Sequence, residues 1–412
     1  MRWEEIALGE VMDVKHGFPF RGEHFADVGE YILLSPGNCY ETGGLKLKGE
    51  KEKYYVGDVP EDYILSTGDM LVVMTDLVGT APILGGSFLI PEDNRFLHNQ
   101  RLGLVTVTAP LRIDRRFLYY LLNTREYRAQ VRGSASGATV RHTSPCRIKE
   151  CRVTVPIDVA YQQSVAAALS AYDDLIENNR RRMVLLEDAT RQLYQEWFVR
   201  LRFPGREHTR IVDGVPNGWR RRDLGAIATF LSGGTPSKAR ADFWEGEIPW
   251  VSSGELTALR IDDASLHVTE EAVEAGSRLV PPRTILGVVR GMSLAKEFRL
   301  AMTSRTVCFN QDLKAIVAGP EVEADYLFHA LVAQRDTIRD RAGEASHGTK
   351  KLDTPVLAST PILVPPPSLQ RAFADVVDPM NRLWDNLNRQ NRQLRTARDL
   401  LLPRLMRGEL LP

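Results

Sequence analysis

At 412 residues the chain has room for two or three domains. Its 43% apolar and 26% charged content is that of an ordinary soluble globular protein. The 53 basic residues balance 53 acidic ones, so no overall positive field announces nucleic acid and any such contact must come from local clusters. The opening Met1-Arg2-Trp3-Glu4-Glu5 lacks a signal peptide's apolar core, and no run approaches the roughly 20 apolar residues of a membrane span. Cys39, Cys146, Cys151 and Cys308 are scattered, with no Cys-x-x-Cys pair and no nearby His pair. That pattern predicts reduced, buried thiols in a cytoplasmic protein.

The chain begins with Trp3, then Leu8-Gly9, a short apolar run and the turn-rich Lys15-His16-Gly17-Phe18-Pro19-Phe20. The same opening returns with Trp219, Leu224-Gly225 and Ser232-Gly233-Gly234-Thr235-Pro236-Ser237, where Trp219 and Leu224-Gly225 stand 216 positions after their counterparts. Further matches follow in order. Tyr31–Ser35 parallels Ile248–Ser252, each a short β-like run. Gly68–Val73 parallels Arg283–Arg290, and His98-Asn99-Gln100-Arg101 parallels Phe309-Asn310-Gln311-Asp312. Phe117–Leu122 parallels Tyr326–Leu331, each a short helix. A Gly/Ser/Thr loop with basic residues comes next in both halves, Gly133–His142 and Arg341–Lys351, and both halves close on a strand and a proline, Val153–Pro156 and Ile362–Pro365.

A long helix follows each half. In Gln163–Arg200, the residues Leu169, Tyr172, Ile176, Asn179, Met183, Leu186, Thr190, Leu193 and Trp197 recur at alternating steps of three and four, with no Gly or Pro between them. Such a seam belongs to a helix that packs along a partner helix, with Arg180, Arg181, Arg182, Glu187, Asp188 and Arg191 on its wet faces. The partner is expected in the same chain: Phe373, Val377, Met380, Trp384, Leu387, Asn391, Leu394, Arg398, Leu401 and Leu405 repeat the alternation in the opposite phase, as antiparallel helices could use. An Asn stands near the middle of each seam, a polar residue that can fix register. The second helix is expected to start at Asp378-Pro379, a capping residue followed by proline, and to stop near Arg407-Gly408. Between the first helix and the second half, Phe203–Gly218 reads as a linker or surface loop beside a cluster of arginines. The chain is thus a tandem duplication with a period of about 210 residues, far longer than a solenoid repeat. The units divide as 1–156, 157–203 (central helix), 204–365 and 366–412 (C-terminal helix). Neither globular unit shows a regular βαβ alternation, so each is expected to be an α+β domain.

No catalytic constellation is visible. There is no phosphate-cradling G-x-x-x-x-G-K-[ST], no dinucleotide glycine fingerprint and no nucleophile elbow. His16, His98, His142, His267 and His347 lack ligand spacing with acidic partners, so no metal site is expected and each reads as a solvated loop histidine. What remains is binding chemistry. The recurring loops hold Lys15, His16, Arg21, Arg101, Arg141 and His142 in the first unit, and Ser237, Lys238, Arg240, Arg290, Lys296, Lys350 and Lys351 in the second. Lys and Arg can grip phosphates, and Arg, Asn and Gln can read base edges. The plain alternative for each cation is a solvated surface charge, and for the recurring Asn99-Gln100 and Asn310-Gln311 it is a turn the fold requires.

The duplicated unit, the Pro216-Asn217-Gly218-Trp219-Arg220 opening, the Glu196-Trp197-Phe198-Val199-Arg200 helix end and the C-terminal Gln390-Asn391 to Gly408-Glu409 segment resemble the DNA-specificity subunits of type I restriction–modification enzymes. The first unit lacks the Pro-x-Gly before its Trp3. The resemblance implies two tandem target-recognition domains separated by two long antiparallel coiled-coil helices, pseudo-two-fold in arrangement. Each domain would read half of a split, asymmetric double-stranded DNA target. The seam residues Ile176, Asn179, Met183, Leu186, Leu193, Trp197, Trp384, Leu387, Asn391, Leu394, Leu401 and Leu405 would hold the spacer and the docking surface for two methyltransferase subunits. Those partners would carry S-adenosylmethionine and methylate adenine N6, and restriction/translocase subunits could join them. This chain itself would be non-catalytic, with no cofactor. The rival readings are an assembly scaffold whose globular units bind protein rather than DNA, and a complete enzyme acting alone.

Overall fold

The computed structural model describes residues 2–345 and 349–411, so His347 lies outside the described residues. The chain divides into two compact units, residues 1–176 with 392–412, and residues 177–391. Both division points fall inside the two long helices, Val159–Tyr194 and Pro367–Met406. Each unit therefore owns a stretch of both.

In unit 1 the strand Trp3–Ala7 pairs antiparallel with Arg152–Pro156, Trp3 opposite Pro156. A four-stranded sheet runs in the order Met12–His16, Leu102–Val107, Met70–Val73, Ser87–Leu89. The Met70–Val73 strand is buried on both faces, because alternate side chains leave a strand on opposite sides. Met70 and Val72 enter the core shared with the helices, whereas Leu71 and Val73 enter a second core with Phe88, Ile90 and Phe96. A second sheet joins Phe25–Ala26, Tyr54–Tyr55, Tyr31–Leu33 and Phe96–Leu97, and a short pair joins Thr75–Asp76 to Arg141–His142.

Unit 2 repeats this plan. Arg220–Asp223 pairs antiparallel with Pro361–Val364. A five-stranded sheet runs Ala228–Ser232, Leu313–Ala318, Ile285–Val288, Leu300–Thr303, Arg260–Ile261. A four-stranded sheet contains Ile248–Val251 beside Val307–Phe309 in parallel, as Tyr31–Leu33 lies beside Phe96–Leu97 in unit 1. Arg290–Gly291 pairs with Lys350–Lys351, the counterpart of the Thr75–Asp76 pair.

The duplication reaches single atoms. Gly17 and Gly233 press so closely on the following loop that a Cβ would stand 2.1 Å from the Asn99 carbonyl oxygen and 2.2 Å from that of Phe309. Only glycine permits that approach. In both loops the asparagine side chain closes a turn: Asn99 Oδ1 accepts from the Arg101 N–H at 3.0 Å, and Asn310 Oδ1 from that of Asp312 at 3.2 Å. The recurring asparagines are therefore turn residues. A second recurrence escaped the sequence reading. Gln162 is buried and accepts from the Asp114 N–H at 2.7 Å while its Nε2 donates to the Pro156 carbonyl at 2.8 Å. Gln370 does the same with Glu323, at 2.8 Å, and Pro365, at 2.8 Å. Each glutamine bolts the start of a long helix to the strand that precedes it.

The helices run antiparallel within each unit. In unit 1, Tyr161 donates to the Leu405 carbonyl at 3.3 Å and Arg398 pairs with Asp173 at 2.5 Å, over a core that includes Val165, Leu169, Leu405 and Met406. In unit 2, Asn179 faces Asn391, and Trp197 meets Phe373 with ring centroids 6.0 Å apart. All the seam positions read from sequence are buried or half-buried, including Met183, Leu186, Leu193, Leu394 and Leu401.

Several expectations need correction. The C-terminal helix starts at Pro367, not at Asp378-Pro379. Pro379 sits on the helix's exposed side, where the carbonyl that loses its donor can reach water. The central helix ends in a π turn, Gln195–Val199, which brings both Tyr194 and Phe198 into an aromatic core with Phe373 and Tyr326. The Phe203–Gly218 segment is no loose linker. Phe203 is buried against Trp219 at 5.3 Å, and Ile211–Val212 forms a hairpin with Val215–Pro216. Cys39, Cys151 and Cys308 are buried, but Cys146 is exposed.

Candidate nucleic-acid interface

Because adjacent strands in the first sheet are antiparallel, the end of Met12–His16, the start of Leu102–Val107 and the end of Met70–Val73 meet at one rim, with Gly103 opposite both His16 and Val72. The Thr75–Asp76 and Arg141–His142 pair continues from that rim. Lys15, His16, Arg101, Arg141 and His142 are thereby gathered at one end of one sheet. Lys15 Nζ stands 4.7 Å over the Tyr63 ring, and His142 Nδ1 lies 3.0 Å from Thr75 Oγ1. Arg141 donates to the Arg132 carbonyl at 2.8 Å, so part of its work is to hold its own loop. Arg21 stands off the rim, exposed beside Glu23 at 3.6 Å.

His98 is not the solvated histidine the sequence suggested. It is fully buried beneath this rim, and Nε2 lies 2.9 Å from the Leu102 carbonyl. Burial pushes its pKa down to about 4, the Leu102 bond opposing and the nearby Lys15 charge reinforcing the shift. The ring is therefore neutral near pH 7 and donates from Nε2, which pins the turn into the Leu102–Val107 strand. His267 also differs from expectation, bonding to Asp263 at 2.8 Å. Among the described residues, no group of three or more His, Cys, Asp or Glu could hold a metal ion.

In unit 2 the equivalent rim is set by Ser232 opposite Lys314 and by Val288 opposite Leu313. Arg290 and Lys350 extend from it through the short Arg290–Gly291 and Lys350–Lys351 pair. Arg290 and Lys296 are exposed, and Arg290 has no acidic partner among the described residues. The other candidates are more committed. Lys350 lies 3.8 Å from Glu344 and Lys351 2.5 Å from Asp353. Arg240 is held by Asp242 at 2.5 Å and Glu271 at 3.3 Å and stacks over Phe243, so it braces its own loop. Ser237 and Lys238 are exposed on the turn after Ser232, which Thr235 ties to the rim through Gln311 at 2.6 Å. Lys314 was missed: its Nζ reaches Ser232 Oγ at 2.7 Å on the rim itself. A lysine interrupting Leu313-Lys314-Ala315-Ile316-Val317 was the available signal.

The two rims share one topology, and in each the short strand pair that continues from it carries cations, Arg141 and His142 in unit 1 and Lys350 and Lys351 in unit 2. The sequence model of the family described as Type I restriction modification DNA specificity domain matches residues 1–187 and 216–396. The chain belongs to that family.

A relative across the full length is the HindI specificity subunit of Haemophilus influenzae, 22% identical over 99% of each chain. The MjaIX specificity subunit of Methanocaldococcus jannaschii is 26% identical over 71% of this chain and 68% of its own. The EcoR124I/EcoR124II specificity subunit of Escherichia coli is 30% identical, and the match spans 40% of this chain and 42% of that relative. In fold, the chain is similar to the crystal structure of a type I restriction–modification S subunit from M. genitalium, with a TM-score of 0.59, 17% identity and coverage of 98% and 96%. No helix among the described residues is long and apolar enough to cross a membrane.

Proposed function

We propose that this chain is the address-reading subunit of a type I restriction–modification complex, and that each unit uses its cationic rim to bind one half of a bipartite, asymmetric double-stranded DNA target. The observation that carries this reading is the recurrence of cations on topologically equivalent rims, Lys15, His16, Arg101 and Arg141 in one unit and Arg290, Lys314 and Lys350 in the other. Such residues grip phosphates, which gives affinity, while neighbouring side chains contact base edges, which gives sequence preference. On this reading the target-recognition domains are residues 1–156 and 204–365, and the spacer helices are 157–203 and 366–412.

The paired helices would dock two methyltransferase subunits that bring S-adenosylmethionine and methylate adenine N6, with restriction/translocase subunits as further partners. This chain supplies the address and the partners supply the chemistry. Methylome sequencing of the host, with and without the gene, tests the proposal. It predicts one split adenine-methylated motif that disappears with the gene. An unchanged methylome, together with no binding of duplex DNA by the assembled complex, would leave the protein-scaffold reading in its place.

A further inference from the structure

Each rim carries an apolar tip. In unit 1 the Thr75–Asp76 strand runs directly into Leu77 and Val78, which are 59% and 52% exposed. The loop that displays them is tightly held. The buried Asp76 carboxylate accepts from the Val78 N–H at 3.0 Å and the Ile83 N–H at 2.8 Å, and the Ala81 N–H reaches the Val78 carbonyl at 2.8 Å. Buried Arg128 donates to the Pro82 carbonyl. In unit 2 the Arg290–Gly291 strand runs directly into Met292, which at 74% is the most exposed large apolar side chain among that unit's described residues. Gly291 has φ +134°, a backbone state that side chains resist, and the next turn is fixed by the Lys296 and Glu297 N–H groups on the Ser293 carbonyl, at 3.0 and 2.9 Å.

Single exposed aliphatic residues are ordinary on protein surfaces. These recur at one topological place, on loops held rigid, each one residue beyond a strand paired with cations: Arg141 and His142 in unit 1, Lys350 and Lys351 in unit 2. A fixed apolar tip between phosphate-binding groups faces whatever apolar group the duplex offers. In the major groove that group is the C5-methyl of thymine, which no other standard base carries.

Resting on the DNA-reading function proposed above, we infer that Leu77 with Val78, and Met292, are specificity residues, each packing on a thymine methyl in the half-site read by its own unit. The flanking cations set affinity, and the tips choose thymine over cytosine.

The test is selection from a random duplex library by the full chain assembled with its co-expressed partner subunits. The wild type should enrich a split motif with thymine fixed at one or more positions in each half. Met292→Ser should relax thymine to pyrimidine in one half only, and Leu77→Ser with Val78→Ser in the other half only. Replacing that thymine by deoxyuridine should weaken the wild type roughly fourfold, the worth of one buried methyl, and leave the matching variant indifferent. Met292→Leu should retain the thymine. Because the tips are exposed, melting temperatures should not move. Variants that select the wild-type motif, or lose all sequences equally, overturn the inference while sparing DNA binding. A wild-type complex that enriches nothing overturns the DNA-reading function itself.

Discussion

Asn179 and Asn391 meet across the helix pair in unit 2, Asn179 Nδ2 donating to Asn391 Oδ1 at 3.1 Å with both side chains buried. Replacing one of them by Leu leaves the other amide buried without its partner, which should destabilise unit 2 by about 1–3 kcal/mol. The double replacement Asn179→Leu with Asn391→Leu should recover most of that loss. Urea unfolding of the four-membered cycle measures it, and additive losses would show that the two amides do not support one another.

Arg398 and Asp173 form the corresponding polar contact in unit 1, and Asp173 also accepts from the Tyr120 hydroxyl at 2.7 Å. Both charged side chains are mostly buried, and the tyrosine hydroxyl is held as a donor, its pKa raised by burial and by the Asp173 charge. Arg398→Ala strands that carboxylate and should cost about 3 kcal/mol. Arg398→Ala combined with Asp173→Ala should cost less than the single change. Unfolding followed by the near-ultraviolet signal of the unit 1 tyrosines provides the readout.

Glu187 lines a small cavity in unit 2 with Arg260, His329, Asn381 and Trp384. Burial raises its pKa to about 7, against the pull of the Trp384 indole N–H and the Arg260 guanidinium, although Trp384 Nε1 makes no hydrogen bond of normal geometry. A carboxyl whose folded pKa lies above its ordinary 4.5 stabilises the fold below 4.5 and loses that contribution as pH rises through about 7. His329 and His98, pushed down to about 3 and about 4 by burial, act the other way: they stay neutral in the fold while the unfolded chain protonates them below about 6.5, so they favour the fold more as pH rises. The wild type should therefore lose stability relative to Glu187→Gln as pH rises from about 4.5 to 7, so the slopes of their melting temperatures against pH should differ. An unaltered slope in the variant would locate the titration elsewhere.

Arg101→Ala and Arg290→Ala remove exposed cations from the two rims. Each should weaken binding to all duplex sequences alike and lower the slope of log affinity against log salt by about one. Titrations at several salt concentrations decide this, and an unchanged slope would remove that side chain from the phosphate contacts.

If the helices set the span between half-sites, four residues inserted after Arg182 and four after Asn388 should add about 6 Å. The unspecified gap in the methylated motif should then grow by about one to two base pairs. A gap of wild-type length in methylation mapping would reject the helices as spacer.

The duplication, the helix seams and the C-terminal stop at Gly408 were legible in the sequence, because apolar periodicity and glycine carry direct conformational meaning. The helix start at Pro367 was not, since Asp378-Pro379 mimics a cap and only its exposed position reveals that the helix passes through it. His98 and Gln162 were missed for a different reason. Their roles depend on carbonyls brought near by folding, and nothing local distinguishes them from solvated side chains. For the rims, residue type was readable but commitment was not: Arg240 and Arg290 look alike until Asp242 and Glu271 are seen to occupy the first.

Unit 1 is assembled from the beginning and the end of the chain. During synthesis, the face formed by Tyr161, Val165 and Leu169 leaves the ribosome long before Leu405 and Met406 exist to cover it. The nascent first unit must wait, with a sticky strip uncovered, until residues 392–412 emerge. Shielding that strip during translation should therefore raise the yield of intact protein.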